Sequence, residues 1–81
     1  MFEEHNSVQL QIANGHNLVV GRGYIWSRVG GTNHKTSDSA ITYLELNPDQ
    51  LMVAQSIFQI VDMQGAVLMD DSAIRARVRR R

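Results

Sequence analysis

Cysteine is absent from these 81 residues, which excludes disulfides and thiolate metal ligands and fits a reducing compartment. Histidine is scarce and scattered: His5, His16 and His34 lie far apart, so no zinc-type ligand spacing forms, and neither a metal nor a cofactor is expected. His16, beside a turn, and His34, in a loop, are both expected to be solvated. No apolar run approaches the roughly 18 residues needed to cross a bilayer. The opening Met1-Phe2-Glu3-Glu4-His5-Asn6 is acidic and polar, the wrong sign for a secretory signal. The expectation is a cytoplasmic chain that does not enter a membrane.

Catalytic signatures are missing as well. There is no G-x-x-x-x-G-K-[ST], no H-E-x-x-H and no Ser/His/Asp ordering. Gly21-Arg22-Gly23 lacks the third glycine and helix of a dinucleotide site, so it reads as a bend. Asp70-Asp71 before Ser72 reads as turn or cap chemistry rather than an acid/base pair. With no catalytic residue to name, the expectation is a protein that is not an enzyme.

What is present begins with charge. Formal net charge is zero, but the two parts of the chain differ in sign. Residues 1–74 hold all eight acids against three bases (Arg22, Arg28 and Lys35), a net −5. The end, Arg75-Ala76-Arg77-Val78-Arg79-Arg80-Arg81, carries five arginines and no acid. Such asymmetry marks an interaction surface. The length allows one domain, 1–81, with 75–81 as its basic C-terminal segment. A domain this small has a modest core and gains from association with a partner.

Ser7 to Ile12 alternates polar and apolar, as a strand with one buried face does. Asn14-Gly15 then predicts a tight hairpin, with Asn17–Val20 returning and Leu10 opposite Val19. Tyr24 to Val29 has strand composition, and Gly30 to Ser39 reads as a long polar loop. Ala40 to Leu46 reads as the next strand. Asn47-Pro48-Asp49-Gln50 offers a cap, a first-turn proline and a capping-box glutamine, so a helix is predicted over 48–63 and closed by Gly65. A competing reading turns 56–69 into a hairpin at Asp62–Gly65, because Ile, Phe and Val favour strands. Ala66 to Met69 is a short strand. Ile74, Ala76 and Val78 then alternate with arginines as a basic edge strand, or form a short helix capped by Asp71 or Ser72.

The fold class that follows is α+β: a small antiparallel sheet in the order β-β-β-α-β, with or without a final basic edge strand, and one amphipathic helix on one face. The sheet's other face, carrying Gln9, Gln11, Leu18 and Val20, is expected to be exposed or used for association. The first hairpin, with glycines after it, resembles the opening of Sm-like small barrels. The second signature of that family is not present, and an all-β small barrel stands as the alternative fold.

Two candidate contact sites emerge. Tyr24 and Trp26 share strand parity with Arg22 and Arg28, and these residue types are enriched at binding hot spots. The arginine end, Arg75, Arg77, Arg79, Arg80 and Arg81, suits phosphate or carboxylate partners. The functional expectation is a non-catalytic interaction or assembly protein that binds a larger protein or its own copies, with no small-molecule substrate. The alternative is a nucleic-acid-binding module using the arginine-rich end.

Overall fold

A computed structural model describes residues 7–14 and 23–78. Its strands and helices run β1 (Val8–Asn14), β2 (Ser27–Arg28), α1 (Ser37–Leu46), β3 (Ser56–Asp62), β4 (Val67–Met69) and α2 (Asp71–Arg77). Short 3-10 turns at Val29–Gly31 and Pro48–Met52 follow β2 and α1. The four strands make one open antiparallel sheet in the order β2-β1-β3-β4. The α+β class holds, and the small closed barrel does not, because the sheet is open.

Period-two alternation does its work in β1. Val8, Leu10 and Ile12 face the helices, and Gln9 and Gln11 face away. The pairing Leu10↔Ile60 and Ile12↔Phe58 puts the apolar residues of both central strands on one side. Ala40, Ile41 and Leu44 of α1 and Ile74 of α2 close over them. Leu10, Leu44, Ile60 and Ile74 are fully buried, each worth about 2 kcal/mol relative to an exposed position. On the far face Gln59 Nε2 donates to Gln11 Oε1 at 2.6 Å, and Gln11 Nε2 to Gln9 Oε1 at 3.2 Å. These glutamines are half-buried and satisfy one another.

Several sequence expectations are corrected. The segment Ala40 to Leu46 is helical, not a strand. Thr36 caps it by accepting the Ser39 N–H at 3.1 Å, and Asp38 sits favourably in the first turn. The stripe Ala40, Ile41, Leu44 then has helical spacing, which outweighs the strand preference of Ile, Thr and Tyr. Asn47 does not start a helix but ends this one: its backbone N–H donates to Leu44 O at 3.2 Å and its side chain to Tyr43 O at 2.9 Å.

The helix expected over 48–63 is a 3-10 turn followed by strand β3. Gln55, at φ 64°, breaks any helix between them. β3 is a central strand apolar on both faces, with Phe58 and Ile60 buried on one side and Val61 on the other. A run apolar on both faces imitates a wide helical arc, which is why its periodicity misleads. The competing hairpin reading is the one observed. Asp62 Oδ1 accepts the N–H groups of Gln64 and Ala66, each at 2.9 Å, and Gly65 supplies the positive φ of the turn.

The basic edge strand is replaced by α2, capped by Asp70 through the Ala73 N–H at 2.9 Å, one residue before the caps expected. The long loop at 30–39 is shorter than predicted and tied down. His34 exchanges two backbone hydrogen bonds of 2.8 Å with Val8, and its ring is half-buried rather than solvated. The return strand expected at 17–20 lies outside the described residues; within them, Gln11 has Arg28 on one side and Gln59 on the other.

Gly30 has φ 71°, and a Cβ there would stand 2.7 Å from the Tyr43 hydroxyl. Gly30→Ala is therefore expected to cost about 1–3 kcal/mol through left-handed strain and displacement of Tyr43, read as a lower urea midpoint with unchanged slope.

Candidate functional site

Beyond the end of β2 the pairing with β1 stops at Ile12↔Ser27, and residues 24–26 leave the sheet. Tyr24 and Trp26, expected on one strand face, lie outside the strand, and they are brought together by their side chains. Their rings meet edge to face, centroids 6.0 Å apart and planes at 69°. Between them Ile25 points outward and is 65 % exposed. Across from it stands Val53, 50 % exposed, in the turn that leads into β3.

Ile25 and Val53, with Ile12 and Ala13 of β1, wall an open recess of about 310 Å³ that Asn14, Ser27 and Ser56 also line. The recess is mainly apolar and carries no described ionisable group on its wall. Chemically it offers surface for an aliphatic or aromatic side chain and nothing for acid/base work. Val53 was not among the residues singled out by sequence. No local signal could have found it, since it meets Ile25 only through the β1–β3 pairing.

The arginines behave differently from expectation. Arg75 is turned inward: Nε donates to both Asp71 carboxylate oxygens at 3.1 and 3.0 Å, and Nη2 donates to Ser56 O at 3.0 Å. Its guanidinium lies 5.4 Å from the Phe58 ring centroid. Arg75 thus fastens α2 to β3 behind the Ser56 wall of the recess. The spacing Asp71–Arg75, four apart, was the overlooked signal.

Arg77 pairs with Asp38 across the two helices, both exposed, and such a pair contributes less than about 1 kcal/mol. Arg28 lies across from Gln11 and donates to Asn33 Oδ1 at 3.0 Å. Arg22, Arg79, Arg80 and Arg81 lie outside the described residues.

Among the described residues, neither sheet edge is an open template. β2 is two residues long and ends in Arg28. β4 carries a bulge, because Met69 faces Ile60 while Val67 faces Val61. Short, charged and bulged edges resist strand addition. The surface left for contact is made of side chains.

Among the described residues no three His, Asp or Glu side chains gather to hold a metal ion, and no helix is long and apolar enough to cross a membrane. The sequence matches no protein-family model, and no match is found among curated proteins or solved structures.

Proposed function

We propose that this chain is a non-catalytic interaction module that holds a protein partner, its own copy or another chain, through the recess between Ile25 and Val53 and the adjoining Tyr24–Trp26 pair. The observation that supports this reading is the convergence of two exposed aliphatic side chains on one recess beside the aromatic pair. Buried aromatic and aliphatic anchors supply most of the energy of protein contacts. Of the two described arginines of the basic end, Arg75 is held by Asp71 and Ser56, and Arg77 shares an exposed pair with Asp38, so the described part of that end does not present a row of free arginines.

Ile25→Asp and Val53→Asp place a charge in the contact while leaving the helix-side core intact. Each is expected to weaken self-association or partner capture by about thirtyfold or more, the equivalent of a hot-spot loss near 2 kcal/mol. Light scattering and quantitative affinity capture read this, with Arg77→Ala as the variant that keeps binding. Unchanged capture by both recess variants would overturn the reading. Co-purified nucleic acid, stripped by salt with a log–log slope of about −0.9 per phosphate, would replace it with the phosphate-binding alternative.

A further inference from the structure

His34 occupies a place that its loop position does not suggest. Its main chain is clasped to β1 by the paired bonds with Val8, 2.8 Å each way. Its ring meets Tyr43 of α1 edge-on, centroids 5.4 Å apart and planes at 60°. The Nε2 atom is buried and has no hydrogen-bond partner. A neutral imidazole tolerates one unpaired ring nitrogen; an imidazolium places a charged N–H there with nothing to accept it.

The geometry points to a proton-sensitive latch: protonation of His34 releases the 32–36 segment from the N-terminal end of β1. For Nε2 to take a proton and keep it hydrated, the ring must leave Tyr43 and reach water. The two Val8 bonds, carried by the same residue, open with it. Released along with them are Thr36, which caps α1, and Asn33, the acceptor for Arg28. The latch is independent of what occupies the recess.

Among the described residues, little in its surroundings would offset the charge. α1 presents the Tyr43 phenol, β1 presents Val8, which does not titrate, and Lys35, next in the chain, is exposed. Desolvation by burial lowers the His34 pKa below the usual 6.5. The closed form therefore binds the proton more weakly than the open form. The latch is fully stable above about 6.5 and weakens as pH falls below it, by at most about tenfold in its opening equilibrium per pH unit.

The test is amide hydrogen exchange of Val8 and His34, corrected for intrinsic rates, from about pH 7.5 to about pH 5. The full chain carries His5→Gln and His16→Gln, leaving His34 as its one imidazole. Protection of both amides is expected to fall with pH, by up to tenfold per unit, while the Ile60 and Leu44 amides in the core change less. In His34→Phe, which keeps the contact with Tyr43 and cannot titrate, protection is expected to be flat. Flat protection with His34 present, or an equal fall in His34→Phe, would overturn the latch. Should His34→Phe fail to fold, the imidazole titration by NMR decides together with exchange: a midpoint below about 6.5 with Val8 protection falling below about pH 6.5 supports the latch, and a midpoint at or above about 6.5, or unchanged Val8 protection, refutes it.

Discussion

Phe58→Ala is expected to remove about 3–5 kcal/mol of stability, the range for emptying an aromatic side chain from a core. Phe58 is 1 % exposed on a central strand, paired across to Ile12 and covered by the Arg75 guanidinium. Its removal leaves a cavity on the side that both helices close, and it also strips Arg75 of its apolar platform. Domains of ordinary stability hold about 5–15 kcal/mol in total, and a short chain lies toward the low end. Urea unfolding should show either a large fall in midpoint or no cooperative transition. Phe58→Leu, which keeps much of the volume, should lose distinctly less. Equal losses for the two would mean that packing at this site is not what stabilises β3.

Asp71→Ala is expected to cost about 2–3 kcal/mol. The register Ile60↔Met69, if continued, would set Phe58 opposite residue 71, but the chain has already turned into α2. The Asp71 carboxylate takes over the missing ladder contact, accepting the Phe58 N–H at 2.8 Å, and it receives Arg75 as well. Alanine leaves that N–H unpaired and lets Arg75 drift from Ser56. Asp71→Asn keeps an oxygen for the N–H while removing the charge, so it should lose about 1 kcal/mol. A denaturation series on the two variants separates the hydrogen bond from the ion pair. Identical losses would place the effect on the ion pair alone, contrary to this assignment.

Much of the fold was legible where local and tertiary preferences agree. β1 follows from the alternation of Val8, Leu10 and Ile12 with glutamines, and Gly65 punctuates the β3–β4 turn. Tyr24 and Trp26 do meet, but edge to face in a segment outside the strand that the parity expectation assumed. Legibility failed at α1 and β3, where two local preferences conflict. Ile41, Thr42 and Tyr43 favour strand, yet the cap at Thr36 and the stripe ending at Leu44 carry the helix. Ile57 to Val61 is apolar on both faces because it is central, and without its neighbours that run cannot be told from a helix. Arg75 illustrates the same limit for the site. An arginine in a basic run reads as outward until Asp71, one helical turn before it, is known to be on a helix.

The central claim is that the Ile25–Val53 recess is where a protein partner sits. It is tested most directly by placing a benzophenone-bearing residue at position 25 and irradiating cells that express the chain naturally, with position 64, on the exposed β3–β4 turn, as the control. The account predicts a covalent protein adduct, with a second copy or another chain, from position 25 and not from position 64. No adduct at position 25 beyond that at 64, or an adduct to nucleic acid in place of protein, would contradict it.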